Sequence, residues 1–264
     1  MVKSLEKTLF GLACIIILCA SPVYSGLSAE EVSDTTEIQH TTNDPLEPIN
    51  RAIFSFNIGV DKLVLKPIAL TYRTIVPSPL RTGIFNFLNN LRSPLILLNN
   101  ILQGDLGAAM VTTKRFVINT TLGIGGLFDP ATSQFDLQYR NEDFGQTFGS
   151  WGIGEGPYLV LPILGPAPPR DLFGKISDFV IDPLNIYAYS DQSDEWITAT
   201  RSTTRAVDAR SRNVETFDDL EKSALDFYAS IRNFYRQKRN AEIANSTSTK
   251  DDSVIDASWE DLEY

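Results

Sequence analysis

Residues 94–122 read PLILLNNILQGDLGAAMVTTKRFVINTTL. Leu95, Ile96, Leu97, Leu98, Ile101 and Leu102 leave Asn99 and Asn100 as the only polar residues of the first arm. A helix apolar nearly all round is either deeply buried or in contact with lipid. Gly104 suits a helix end and Asp105 the cap of the next helix, so the arm turns a tight corner. The second arm gathers Leu106, Ala109, Met110, Thr113, Phe116, Val117 and Thr120 on one face. No uncharged run in the expected mature chain reaches the ~20 residues a spanning helix needs. The longest, 156–169, is broken by prolines and glycines. A conventional transmembrane helix is excluded, whereas a helix lying in one leaflet is not.

Upstream, Asp44-Pro45-Leu46-Glu47 carries a capping carboxylate, a first-turn proline and an N3 glutamate, the signature of a helix start. Leu46, Ile49, Ile53, Phe56, Val60 and Leu63 follow at helical spacing. Pro67 should end or kink that helix. Ser78-Pro79 and Ser93-Pro94 each predict a new start with a capping serine. Downstream, Gly123, Gly125, Gly126, Gly145, Gly149, Gly152, Gly154 and Gly156 lead into Pro162, Pro166, Pro168 and Pro169. This predicts irregular chain with a short hairpin around Tyr158 to Leu161. Helix should resume before Trp196, with Ser193 as cap and Asp194 and Glu195 complementing the dipole. Leu220, Ala224, Phe227, Ile231 and Phe234 predict one last helix. Its exit carries Arg232, Arg236, Lys238 and Arg239. These cations suit either phospholipid headgroups or dipole pairing with solvation, the second being preferred.

The ends read differently from this body. Lys3 and Lys7 precede an apolar run from Leu9 to Ala20 and a small-residue exit at Val23-Tyr24-Ser25, so residues 1–25 are expected to be a signal peptide. Neither Cys14 nor Cys19 sits in a good lipoprotein box, which favours cleavage by signal peptidase I over lipidation. Residues 26–43 read as a disordered linker and 240–264 as an acidic disordered tail, leaving 44–239 as the folded domain. The 264 residues carry a formal net charge of -10, against nonspecific nucleic-acid binding. Residues 51–135 nevertheless hold eight basic and three acidic side chains, a balance suited to an anionic lipid surface.

Catalytic chemistry finds little support. Both cysteines lie in the leader, and the only histidine is His40 in the linker. Gly149-Ser150-Trp151-Gly152 approaches a nucleophile elbow, but Phe148 replaces the first glycine and no histidine can serve as base. The glycine clusters match neither a phosphate loop nor a dinucleotide fingerprint. Asp191, Asp194 and Glu195 cluster as oxygen ligands would, without calcium-loop spacing, and helix-start chemistry explains them better. Asp178 and Asp182, one turn apart, should repel if both are charged. No cofactor is expected.

Several blocks together resemble a known family. Asn43-Asp44-Pro45-Leu46-Glu47-Pro48-Ile49-Asn50-Arg51-Ala52-Ile53-Phe54-Ser55-Phe56-Asn57 resembles the opening motif of the MlaA (VacJ) family. Gln103-Gly104-Asp105 follows, then Arg115-Phe116-Val117-Ile118-Asn119-Thr120 with Gly123-Ile124-Gly125-Gly126-Leu127-Phe128-Asp129. Glu142 to Gly149, Gly156 to Pro162, Gly165-Pro166 and Arg170-Asp171 complete the order. The resemblance covers about residues 43 to 239.

It implies a mainly α fold: a ring of short amphipathic and apolar helices around a central amphipathic channel, with glycine- and proline-rich irregular segments. It implies an outer-membrane component on the periplasmic face, in the inner leaflet. That component is not an enzyme and moves misplaced phospholipids from the outer leaflet to an MlaC-like periplasmic carrier, with trimeric porins as partners. The alternative is an envelope docking protein that holds porins without moving lipid. By motif position, Asn50, Arg51, Phe56 and Asn57 should help control the channel. Asn119, Gly123, Gly125, Gly126, Gly145, Gly152, Gly156 and Tyr158 should form flexible or tightly packed ring segments, and Arg170-Asp171 a structural corner. Leu95, Ile96, Leu97, Leu98, Ile101 and Leu102 are the expected membrane contacts. Many members of the family are lipoproteins, and this leader departs from them.

Overall fold

The computed structural model describes residues 44–190 and 195–244. The expected signal peptide, the linker to residue 43, Asp191, Ser193, Asp194 and the tail from residue 245 lie outside the described residues. Helix α1 (Glu47–Val60) runs through a π-helical turn (Asp61–Leu65) into α2 (Lys66–Ile75). The wider turn precedes Pro67 and accommodates its missing donor, so the proline redirects the helix without ending it. The predicted cap at Asp44 is not used: Leu46 holds the cap position without a side-chain bond, and the Asp44 carboxylate turns inward.

Helix α3 (Ser78–Leu102) begins where Ser78-Pro79 predicts, but neither serine caps it and it passes straight through Pro94. An interior proline costs ~3 kcal/mol. Burial of Leu88, Leu95 and Ile96 outweighs it at about 1.5–3 kcal/mol each. Gly104, at φ +80, closes the corner, and Asp105 caps α4 (Leu106–Thr121) by accepting from the Ala108 N–H at 2.8 Å, as expected.

The glycine- and proline-rich stretch is more helical than its composition suggests. It contains α5 (Pro130–Phe135), α6 (Phe144–Ser150), the predicted hairpin β1 (Val160–Leu161) with β2 (Gly165–Pro166), then α7 (Pro169–Ile181) and α8 (Pro183–Ser190). Asp129 and Asp143 cap α5 and α6, and the prolines open α7 and α8 from first-turn positions. Helix α9 (Glu195–Arg212) follows. The single last helix is in fact two, α10 (Val214–Ser223) and α11 (Phe227–Ile243), because Ala224 is extended and Asp226 caps a fresh start through the Ala229 N–H at 3.1 Å. Helix α11 runs to Ile243, four residues past the expected boundary at 239.

The helices close a circuit: α2 packs on α9, α9 on α8, α8 on α7, α7 on α6 and α6 on α11. The Arg51–Asp226 pair and the Phe54–Tyr228 ring contact then join α11 to α1. Helix α3 touches both α9 and α6, and α4 lies along α3. The fold is thus mainly α and ring-like, as expected.

Polarity within this body is reversed. Among the described residues, twenty polar or charged residues are buried against fourteen apolar ones, while thirty-five large apolar side chains are exposed. The fully buried set includes Asn50, Asn99, Asn100, Glu142, Gln146, Thr147, Asp171 and Asp208. One small apolar cluster, Tyr158, Val160 and Tyr228 with Ile53, Phe54 and Tyr235, sits where α1, the hairpin and α11 meet.

Candidate functional site

The second arm of the opening stretch shows the reversal most directly. In α4 the buried residues are Ala109, Arg115 and Asn119, while Leu106, Met110, Phe116 and Val117 face outward. The face that periodicity would assign to a core is largely the outer one. One charge, Lys114, shares that exposed face, where a water-facing helix would carry several. In the first arm Leu95 and Ile96 are 3% and 1% exposed, so lipid contact is corrected for these two. Leu97, Leu98 and Leu102 are half-buried and Ile101 is exposed. Leu63, Ile75, Leu122, Ile124, Phe128, Phe173, Val180 and Ile186 are also exposed. No helix among the described residues is long and apolar enough to cross a membrane.

The opening motif is a clasp. Asn50 Nδ2 donates to Asp44 Oδ1 at 2.8 Å and to the Tyr158 carbonyl at 2.9 Å, while its Oδ1 accepts the Val160 N–H at 3.0 Å. Two turns on, Asn57 Nδ2 donates to the Leu161 carbonyl at 2.9 Å and its Oδ1 accepts from the Ile163 N–H at 2.7 Å. Both amides therefore satisfy hairpin backbone that would otherwise lack partners. Arg51 bridges Glu47 and Asp226 and lies over the Tyr228 ring. Phe56, by contrast, is exposed. Beneath the clasp, Asp44 receives the Tyr228 hydroxyl at 2.5 Å and Arg232 at 2.7 Å. Burial pushes its carboxyl up, but the bonds from Tyr228, Arg232 and Asn50 prevail and hold it below its ordinary value.

Some of the glycines sit at tightly packed corners, whereas nothing lies within 4 Å of a Cβ at Gly125 or Gly152. Asn119 donates to Asp129 at 2.8 Å and accepts the Ala131 N–H at 3.0 Å, and Arg115 pairs with Asp129 at 2.8 Å. A Cβ at Gly123 would lie 2.4 Å from the Phe128 carbonyl, and one at Gly126 would meet the Asn90 side chain at 2.5 Å. Gly125, Gly152 and Gly156 are at positive φ, and Gly156 packs against Pro169. Gly145 lies where α6 crosses α7, facing Gly174, whose role no sequence signal singled out.

Nearby, Glu142 accepts from Gln103 at 3.0 Å and Arg140 at 2.8 Å, and Thr147 bonds Asn99 at 2.6 Å. Burial pushes the Glu142 carboxyl up. Three of the four cations at the exit of α11 fit neither sequence reading: Arg232 is held by Asp44 and Glu47, Arg236 by Glu155, and Arg239 by Asp143, Asp171 and Glu242, while Lys238 is half exposed as solvation predicts. Arg170 pairs with its neighbour Asp171 at 2.9 Å, the structural corner expected. Asp178 and Asp182 avoid repulsion by facing Arg92 and Arg201. No group of three or more His, Cys, Asp or Glu arranged to hold a metal occurs among the described residues.

The MlaA lipoprotein family model matches residues 42–242, all of the described body but its last two residues. The chain belongs to the MlaA lipoprotein family. Among its relatives, the Escherichia coli intermembrane phospholipid transport system lipoprotein MlaA is 34% identical over 215 residues, covering 80% of this chain and 82% of that protein. The Haemophilus influenzae protein of the same name is 35% identical over 211 residues, 78% and 80% of the two chains. A Rickettsia prowazekii protein is 37% identical over 203 residues, 76% and 78% of the two. A solved structure concerned with maintenance of bacterial outer membrane lipid asymmetry contains a chain 34% identical, with a TM-score of 0.67 over 76% of this chain and 98% of that one. The MlaA family resemblance read from the sequence is thereby established, and its opening motif is the segment that forms the clasp.

Proposed function

We propose that this chain moves phospholipid between leaflets and carriers without chemistry of its own. It sits in the inner leaflet of the outer membrane, takes mislocalised phospholipids from the outer leaflet through a channel inside its helical ring, and passes them to an MlaC-like periplasmic carrier. Trimeric porins hold it in the membrane.

The observation that carries this reading is the reversed polarity, with apolar side chains outside and hydrogen-bonded polar ones within. A helical ring satisfies its backbone internally, so it can rest in hydrocarbon without crossing it. Burying the outer apolar faces is worth ~25 cal/mol per Å², an anchor independent of any lipid on the N-terminus. The clasp supports a further part: Asn50 and Asn57 fix the hairpin to α1, Arg51 ties α1 to the start of α11 through Asp226, and exposed Phe56 is the motif's contact with lipid. The intermembrane phospholipid transport role named for the relatives supports phospholipid as the cargo.

Deleting the gene in a host that uses it should raise outer-leaflet phospholipid, measured by surface-specific acylation of lipopolysaccharide, and sensitise cells to detergent. Restored asymmetry on complementation is expected. Unchanged asymmetry in the deletant would leave the docking alternative, in which porins are held and no lipid moves.

A further inference from the structure

Past the end of α4 the chain turns a corner over residues 122–128, LGIGGLF. Leu122, Ile124, Leu127 and Phe128 are all exposed, Ile124 by 67%. No charged residue stands between Arg115 and Asp129. The corner lies on the start of α3, where a Cβ at Gly83 would sit 3.5 Å from the Leu127 carbonyl and Asn86 donates to that carbonyl at 3.4 Å. On either side of this contact Leu80 and Phe87 are exposed as well.

The backbone of the corner is turned in on itself. The N–H groups of Leu122 and Gly123 donate to the Ile118 carbonyl at 2.8 and 3.2 Å, Gly125 donates to Thr120 at 2.9 Å and Gly126 to Asn119 at 2.8 Å. Phe128 returns to the Gly123 carbonyl at 3.0 Å, and Asn90 donates to the Thr120 hydroxyl at 3.0 Å and the Gly125 carbonyl at 3.4 Å. Irregular chain at membrane depth needs such partners within the protein, because hydrocarbon offers none. The shape is also costly. Ile124, Gly125 and Gly126 take left-handed backbone in succession, at φ +52, +71 and +95, and for a β-branched residue that is a true outlier. Strain of this kind persists where the outcome serves a purpose. Here the outcome is an apolar side chain at the tip, where glycine or asparagine would be unstrained.

We propose that this corner is the most deeply inserted part of the ring, set among acyl chains toward the bilayer midplane. The proposal rests on the inner-leaflet reading and gives it an orientation. The two ends of α4 differ in polarity: Asp105 and Arg140 form a partly exposed ion pair at its start, whereas the pair near its end, Arg115 with Asp129, has Arg115 buried. Lys114, midway, can carry its ammonium back toward the headgroups on a four-carbon stem. The 16 residues of α4 separate its ends by about 24 Å, so a modest tilt sets them at different depths. The corner continues the outward face of α4 from Val117 to Leu122 and Ile124, and acyl chains are its occupant. In a ring confined to one leaflet, its deepest point is the one nearest the lipids of the other.

Depth-dependent quenching tests this. Single cysteines at Leu106, Leu122 and Ile124, with Cys14 and Cys19 replaced by serine, would carry a nitrobenzoxadiazole fluorophore. The full chain would be reconstituted into phosphatidylcholine and phosphatidylglycerol vesicles containing lipid with a nitroxide at acyl carbon 5 or carbon 12. The labels at Leu122 and Ile124 should lose at least twofold more fluorescence to the carbon-12 nitroxide than to the carbon-5 one, and the label at Leu106 should show the reverse order. Circular dichroism identifies a labelled variant that fails to fold, in which case the other corner position decides. Corner labels quenched more by the carbon-5 nitroxide, or only by aqueous iodide, while Leu106 still answers to lipid, would overturn the proposal and leave the membrane reading standing. If no label answers to either lipid, both fall.

Discussion

Replacing Arg239 with alanine is expected to lower the thermal midpoint by about 6–20 °C. Its guanidinium meets Asp143 at 2.6 Å, Asp171 at 3.2 Å and Glu242 at 3.0 Å, and its own side chain is 11% exposed. It joins α11 to both α6 and α7. Removing one partner of a buried pair typically costs 3–5 kcal/mol because the other charge is left uncompensated, and 1 kcal/mol moves the midpoint of a domain this size by about 2–4 °C.

The pH dependence gives a second reading of the same variant. Burial alone would push Asp143 up, but the bonds from Arg239 reverse this and hold it at about 2. A carboxyl lowered from 3.8 contributes stability that is present above its unfolded value and lost as pH falls through about 2. In Arg239→Ala that contribution is missing, and only the Gln146 N–H and Arg92 still oppose burial. The gap between wild type and variant is therefore widest at neutral pH and narrows between about pH 4 and 2, as followed by melts at each pH. A gap independent of pH would show that packing, not charge, is what Arg239 supplies.

The second large effect is expected at Gly174. A Cβ there would lie 2.3 Å from the Gly145 nitrogen and 2.5 Å from its Cα. Backbone cannot swing aside as a side-chain end can, so α6 and α7 must separate. Gly174→Ala should cost about 3 kcal/mol or more, at the upper end of overpacking, even though alanine favours helix over glycine by about 1 kcal/mol. Gly59→Ala isolates that propensity, because nothing lies within 4 Å of a Cβ at Gly59 in α1. Its melt should rise by a few degrees while that of Gly174→Ala falls by about 6 °C or more. Equal shifts in both variants would contradict the close helix crossing.

Both variants probe features that differ in how readily the sequence discloses them. The corner at Gly104-Asp105, the start near Ser78 and the hairpin after Tyr158 were legible because caps, prolines and glycines act over three or four residues. Pro94 misleads because burial of Leu95 and Ile96 is a tertiary effect that overrides a local penalty. The break at Asp226 misleads in the opposite sense: apolar spacing continues across it, yet the carboxylate both caps α11 and takes Arg51. Helix α7 hides in a proline-rich composition although its first proline is an ordinary N1 residue.

The candidate site was legible as motif positions and not as contacts. Nothing in the spacing of Asn50 and Asn57 tells that both amides seat the hairpin. Asp44, read as a cap, instead anchors Arg232 from 188 residues away. The α4 face shows the deepest ambiguity, since a period of three and four locates an apolar stripe without saying whether protein or lipid covers it. Only the arrangement of Arg115 and Asn119 on the opposite, buried face resolves that.

The central claim is that this outward apolar face meets lipid, and nitroxide labels test it directly. Single cysteines at Leu106, Met110 and Val117, with Cys14 and Cys19 replaced by serine, would be labelled in the full chain reconstituted into phospholipid vesicles. The labels should relax more readily with oxygen, which concentrates in hydrocarbon, than with a water-soluble nickel chelate. Greater accessibility to the nickel chelate at all three positions would place the face in water and contradict the account.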